Sequence, residues 1–123
     1  MLTAVDKYAD LLRLSASCPG NEERLGGNEA PPAVVSIFLG NALTHMLQEL
    51  AEGHALQKEE RGALLTGVKS LPLLKLDDSD RNRTSPFAFT GNKFEFRMVG
   101  ASQSIGLANA VTNAIVADVL HDF

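Results

Sequence analysis

From Lys93 to Met98 charged and apolar residues alternate without a break. Phe94, Phe96 and Met98 fall on one side of an extended chain, and Lys93, Glu95 and Arg97 fall on the other. Upstream, Phe87 and Phe89 form a second short apolar run. Thr90-Gly91-Asn92-Lys93 between the runs carries a two-residue hairpin signal, because Gly and Asn tolerate positive φ. The pattern predicts a β-hairpin at about 86–99. Its apolar face packs on a core and its other face carries a Lys/Glu/Arg row.

Elsewhere the period is helical. Val5, Tyr8, Leu11, Leu12 and Ser15 share a face of a helix predicted over Met1 to Ser17, ended by the turn chemistry of Cys18-Pro19-Gly20-Asn21. Val35, Phe38, Leu39, Ala42, Leu43, Met46, Leu47 and Leu50 follow three-and-four spacing, predicting a helix from Pro32 to Glu52 with a buried stripe. Gly40 weakens it locally, by about 1 kcal/mol relative to Ala if exposed. A last helix, capped by Ser102 or Ser104 and running to about Leu120, buries Ile105, Ala108, Val111, Ile115 and Val119. Between these, Gln57-Lys58-Glu59-Glu60-Arg61 suits a short solvated helix, and Leu71-Pro72-Leu73-Leu74 an extended edge or connection.

Composition adds limits. The chain has 123 residues, 45% of them apolar and 21% charged, which suits one globular domain with a modest core. A formal charge of −4 argues against a general nucleic-acid binder and leaves room for a local basic site. Cys18 is the single cysteine, so no disulfide forms within the chain and a reducing compartment is the simplest home. Neither a membrane span nor a signal peptide is supported, and the expected location is the cytoplasm.

The candidate chemistry lies near the hairpin. A charged strand is by itself more often a wet ladder of salt bridges than a site. Here the row follows the basic pair Arg81 and Arg83, and one acid among several cations suits a bound phosphate with a metal. A second candidate is the Gly26-Gly27-Asn28 loop, flanked by Arg24 and Glu29, which reads equally as a functional loop or a connector. His45 and His54 have no partnering cysteine and read as surface or helix-end residues rather than a zinc site. Asp77-Asp78-Ser79-Asp80 lacks calcium-loop spacing and reads as a solvated turn.

Two longer stretches say more than periodicity. Arg24-Leu-Gly-Gly-Asn-Glu-Ala-Pro-Pro-Ala33 and Asp80-Arg-Asn-Arg-Thr-Ser-Pro-Phe-Ala-Phe-Thr-Gly-Asn-Lys-Phe-Glu-Phe-Arg97 together resemble glutamine synthetase, in its large bacterial type III form. Val5-Asp6-Lys7-Tyr8-Ala9-Asp10-Leu11-Leu12-Arg13 and Val34-Val35-Ser36-Ile37-Phe38-Leu39-Gly40 also fit that form. The resemblance runs over nearly the whole chain and is weakest between Gln48 and Leu76. It implies an α+β fold, with helices packed on a small antiparallel sheet that belongs to the C-terminal half of the family's catalytic domain. The implied activity is ATP-dependent ligation of ammonia to glutamate through γ-glutamyl phosphate, supported by magnesium or manganese. The implied assembly is a homo-oligomer of stacked rings.

By the same resemblance Glu95 matches a metal-binding glutamate, and Arg97 an arginine on the glutamate substrate near the transferred phosphoryl group. Arg83 matches an arginine on the ATP phosphates. Arg24 looks like a substrate-binding arginine, and Glu29 like a flap glutamate that closes the site and helps deprotonate ammonium. Lys93 stands where the shorter form has a nucleotide-binding arginine, keeping a charge without the fork. Ala88 stands where that form has a second phosphate-binding arginine. The Arg24-to-Glu29 spacing is one residue tighter, and no Asn-Pro-Tyr pattern follows Arg97.

Family members are several times longer and begin with a β-grasp domain that has no counterpart here. Most metal-binding carboxylates lie on upstream strands that are also absent. The expectation is therefore a fragment that is inactive alone. The alternatives are a non-catalytic remnant that binds nucleotide or glutamate, and an interaction partner of a full-length synthetase.

Overall fold

The computed structural model describes residues 1–54, 80 and 84–123, and the backbone of 63–64 and 74–75. The chain divides into two compact units, Met1–Phe38 with Asp80–Phe123, and Leu39–Ser79.

In the first unit the predicted N-terminal helix forms as two pieces, α1 (Leu2–Lys7) and α2 (Ala9–Ser15). The break falls at Tyr8, whose φ of −122° and ψ of 29° are not helical, although bonds from Tyr8 N–H to Ala4 O and from Leu12 N–H to Tyr8 O bracket it. The Tyr8 hydroxyl and the Lys7 ammonium both reach Asp118 on the last helix. The expected turn at residues 18–21 is instead the start of a third short helix, α3 (Pro19–Arg24), with Pro19 in its first turn. Proline fits there because the N–H it lacks would have no helical partner. Arg13 joins these segments: Nη1 donates to Glu22 Oε1 at 2.9 Å and Nε to Ala33 O at 2.7 Å.

The predicted helix from Pro32 to Glu52 does not form as one element. Ile37–Phe38 is a strand, β1, and the helix α4 spans only Asn41–Ala51. Val34, Val35 and Ile37 are β-branched and favour extended backbone. Gly40, at φ 81°, marks the boundary as the residue before α4. A helical count across 32–52 therefore merged a strand with a helix.

Phe87–Phe89 (β4) and Phe94–Phe96 (β5) form the expected antiparallel hairpin, pairing Phe87 with Phe96, Ala88 with Glu95 and Phe89 with Phe94. Thr90 N–H donates to Lys93 O at 2.9 Å around Gly91-Asn92, and Gly91 alone in the turn has positive φ, 96°. Glycine thus stands at the first central position of the two-residue loop, where it supplies the positive φ. The sheet order is β1-β4-β5, and β1 pairs with β4 in parallel, Ile37 with Phe87 and Phe38 with Ala88. The sheet is mixed, not purely antiparallel as expected, because the chain reaches β4 from β1 by a long connection rather than a hairpin.

The helix α5 (Gly106–His121) closes the unit, with Ser104 Oγ accepting from Gly106 N–H at 3.2 Å. Ala108, Ile115 and Val119 are buried as expected, whereas Ile105 is exposed. One core cluster joins Val5, Leu12, Phe87, Ile115 and Val119. Phe94 and Phe96 pack against it, with ring centroids 5.9 and 5.6 Å from Phe87. A second cluster joins Ala16, Leu25 and Met98. The apolar side of the alternating run thus faces the core, which leaves the charged row on the other side.

The second unit holds α4 and a short antiparallel pair, β2 (Ala63–Leu64) with β3 (Leu74–Lys75). No residue of α4 is buried, contrary to the expected stripe. Its C-terminus carries a Schellman cap. Gly53, at φ 75°, donates to Leu50 O at 3.2 Å, and His54 N–H donates to Glu49 O at 2.9 Å. The expected helix at 57–61, Leu71 to Leu73, and Asp77 to Ser79 lie outside the described residues. Among the described residues no helix is long and apolar enough to cross a membrane.

Candidate functional site

The hairpin register decides the site. Glu95 stands at the centre of β5 with Lys93 and Arg97 two residues to either side, so all three emerge on one face. Lys93 Nζ lies 3.2 Å from Glu95 Oε1. From the other side, Arg97 Nη2 and Nε approach Glu95 Oε2 at 3.3 and 3.4 Å. The Lys93 ammonium, and then the Arg97 guanidinium, hold the Glu95 carboxyl below its ordinary pKa. Directly across the ladder stands Ala88, fully buried, so no long side chain competes for this face from β4.

Arg97 is the least exposed member, its side chain 12% accessible. Its backbone N–H donates to Pro86 O at 2.8 Å. Its Nη1 is buried and has no hydrogen-bond acceptor among the described residues, yet lies 3.4 Å from Asp80 Oδ2. Asp80 is itself only 7% accessible, which corrects its reading as part of a solvated turn. Its carboxylate accepts from Ser85 N–H at 2.9 Å and from Thr84 Oγ1 at 3.3 Å. Burial works against ionisation of Asp80, but the bonds from Ser85 and Thr84 and the nearby Arg97 outweigh it, and its pKa is lowered. Sequence reasoning missed Asp80 as a partner because its distance from Arg97 along the chain carries no periodic signal.

Arg24 reaches the end of the same hairpin. Its Nη2 donates to Met98 O at 2.8 Å and its Nε to Asn21 Oδ1 at 2.8 Å. Asn21, also read as a turn residue, is 3% exposed and donates to both Ala16 O and Met98 O, at 2.6 and 2.7 Å. Two of Arg24's donor groups are thus engaged within the protein, and Nη1 has no hydrogen bond to a described residue. Glu29 stands in the loop closed by the bond from Gly26 N–H to Pro31 O at 2.9 Å. Its side chain is exposed and its φ is 59°, a left-handed conformation that costs a residue with a Cβ roughly 1–2 kcal/mol. Arg83 and its neighbour Arg81 lie outside the described residues.

As a ligand for a divalent cation, Glu95 fits as one part-exposed carboxylate on a regular strand. Magnesium is commonly held by one or two carboxylates plus phosphate oxygens and water. Asp80 is already committed to Ser85 and Thr84 and suits that role less well. In the second unit, the Schellman cap folds His54 back towards Glu49 and Glu52, its Nδ1 3.4 Å from a carboxylate oxygen of each. Among the described residues this is the group of side chains close enough to share a metal ion, but His54 and Glu52 are exposed, and exposed groups of this kind commonly gather at a helix end without one.

A β-hairpin presenting an arginine between two carboxylates, on a small sheet backed by helices, defines an α+β protein with a charged strand face. No family model matches the chain. Three curated proteins do, and all are named glutamine synthetases. The type-3 glutamine synthetase of Dictyostelium discoideum is 51% identical over 98% of this chain. The glutamine synthetase of Bacteroides fragilis is 47% identical over 100% of it, and that of Butyrivibrio fibrisolvens 50% identical over 77%. The chain belongs to the glutamine synthetase family and is similar to its type-3 form. It spans 16%, 17% and 13% of the lengths of these relatives.

Proposed function

We propose that this chain supplies one wall of a glutamine synthetase active site, in which ATP phosphorylates the γ-carboxylate of glutamate and ammonia displaces the phosphate. The observation that carries the reading is the Lys93, Glu95 and Arg97 row, with the Arg97 guanidinium set between the carboxylates of Glu95 and Asp80. It sits in a chain whose relatives bear that name.

In this reading Glu95 contributes one oxygen ligand to magnesium or manganese, which when bound neutralises charge on the phosphate oxygens of ATP. Arg97 turns its fork to the γ-carboxylate and the phosphoryl group arriving on it, stabilising charge that grows during transfer. Lys93 and Arg83 offer cations to the nucleotide phosphates. Arg24 uses its remaining Nη1 toward glutamate. Glu29, on its exposed loop, accepts a proton from ammonium and, by covering the site, keeps water from the acyl phosphate. The remaining metal ligands come from outside this stretch of chain, the 123 residues are inactive alone, and the whole operates as a cytoplasmic homo-oligomer.

Titration of ATP with magnesium against the wild-type chain and Glu95→Ala tests the core of this reading. Metal-dependent binding lost in Glu95→Ala supports it, whereas equal binding by both excludes a site bridged through Glu95. Formation of γ-glutamyl hydroxamate by the purified chain tests its insufficiency: robust turnover would show that 123 residues are enough.

A further inference from the structure

Arg97 meets two carboxylates of different character. Glu95 is part-exposed, its side chain 38% accessible, and it is shared with Lys93 on the open face of β5. Asp80 is 7% accessible and anchored by Ser85 N–H at 2.9 Å and by the Thr84 hydroxyl at 3.3 Å. The two acids occupy different edges of the guanidinium, Glu95 the Nε/Nη2 edge and Asp80 the Nη1 corner. The contacts to Glu95, at 3.3 and 3.4 Å, are longer than the roughly 2.7–2.9 Å of a tight charge-assisted bond. Nη1 is buried with no acceptor in bonding geometry among the described residues, and the ionic neighbour Asp80 offsets the cost of its burial.

We infer that Asp80 is the positioning residue of Arg97, holding the buried Nη1 corner, while Glu95 is a displaceable partner on the Nε/Nη2 edge, which a tetrahedral oxyanion takes over on binding. The assignment deepens the proposed site, and the oxyanion part rests on that reading. The physical asymmetry supports it. An exposed carboxylate gains water when displaced, whereas a buried one would be left uncompensated. A bidentate oxyanion on the Nε/Nη2 edge also restores the short parallel bonds that Glu95 does not make. Thr84 and Ser85 then act through Asp80, which ties the segment before β4 to the working edge of β5.

The test is a titration of the chain with inorganic phosphate, read at the Arg97 Nε–H signal in a spectrum of arginine-labelled protein. Phosphate is expected to shift that signal in the wild type. Glu95→Gln, which removes the competing charge, is expected to bind phosphate severalfold more tightly. Asp80→Asn is expected to weaken binding about tenfold or more, since a misplaced binding group commonly costs one to two orders of magnitude. Asp80→Glu should recover part of the loss. If Asp80→Asn does not fold, Thr84→Val, at an exposed residue, removes one anchor of Asp80 and should weaken phosphate binding in the same direction by a smaller factor. Wild-type affinity in folded Asp80→Asn, or in Thr84→Val when that variant is the one used, overturns the positioning role. Failure of Glu95→Gln to tighten binding overturns the displaceable partner. If phosphate leaves the wild-type signal unmoved, the oxyanion site itself falls, and the Arg97 spectrum without phosphate still judges Asp80. Guanidinium signals resolved in wild type and averaged in Asp80→Asn or Thr84→Val support its role, and unchanged signals reject it.

Discussion

The side-chain amide of Asn21 donates to the backbone carbonyl of Met98 at 2.7 Å across a sequence separation of 77 residues. The same amide donates to Ala16 O at 2.6 Å, while Asn21 Oδ1 accepts from Arg24 Nε at 2.8 Å. One buried side chain thereby connects the end of α2, Arg24 at the end of α3, and the residue following Arg97. Asn21→Ala is expected to destabilise the chain by about 2–3 kcal/mol, because it leaves buried carbonyls short of donors. Asn21→Asp should cost more, since a carboxylate cannot donate to either carbonyl. Urea unfolding of the three proteins checks both the size and the order.

Ala88 faces Glu95 across the ladder and is fully buried. Placing an arginine there is expected to cost this chain more than about 3 kcal/mol, from overpacking and burial of a charge. Thermal unfolding of Ala88→Arg beside Ala88→Ser measures it. A stable, well-folded Ala88→Arg protein would show that the strand face has room that the packing denies.

Glu22 bonds Arg13 through both carboxylate oxygens and accepts from Ser17 Oγ at 2.7 Å. The Arg13 guanidinium, and then the Ser17 hydroxyl, lower its pKa to about 2, against an ordinary 4.5. The unfolded chain therefore takes up this proton at higher pH than the folded one. The contribution of the pair to stability is complete above the ordinary value and is lost as pH falls from there toward about 2. Glu22→Gln removes the carboxylate, so the gap in melting temperature between it and wild type should be widest near neutral pH and close toward pH 2. A gap that stays constant over this range would assign the stabilisation to packing.

Glu29 holds a left-handed backbone conformation at φ 59°. Glu29→Gly is expected to be neutral or to stabilise the chain by about 0.5 kcal/mol, as relief of strain exceeds the added freedom of the unfolded state. Glu29→Val, branched at Cβ, should destabilise by about 1 kcal/mol or more. Denaturant midpoints of the two variants settle the sign.

The hairpin was legible because a strand's period of two cannot place phenylalanines on one face without placing Lys93, Glu95 and Arg97 on the other. Gly91 marked its turn. The last helix was legible for a similar reason, through Ala108, Ile115 and Val119. The stretch before Gly40 was not. Val35 and Phe38 satisfy a helical count as readily as Val35 and Ile37 satisfy an extended one, and only the parallel pairing of Ile37 with Phe87 separates the two. Nor did spacing reveal the partners of the site: Asp80 looked like one acid of a polar turn, and Asn21 like turn punctuation.

Local sequence therefore determined the face on which the charged row lies, and the likeness of this chain to glutamine synthetases was written in the residues from Asp80 to Arg97. Tertiary structure decided which groups meet that row. It buried Asp80 beside Arg97, brought Arg24 and Asn21 to Met98 O, and set Ala88 against Glu95. The division has one physical cause. Backbone periodicity fixes side-chain direction within an element, whereas partners from separate elements are chosen by how those elements pack, a choice no single segment encodes.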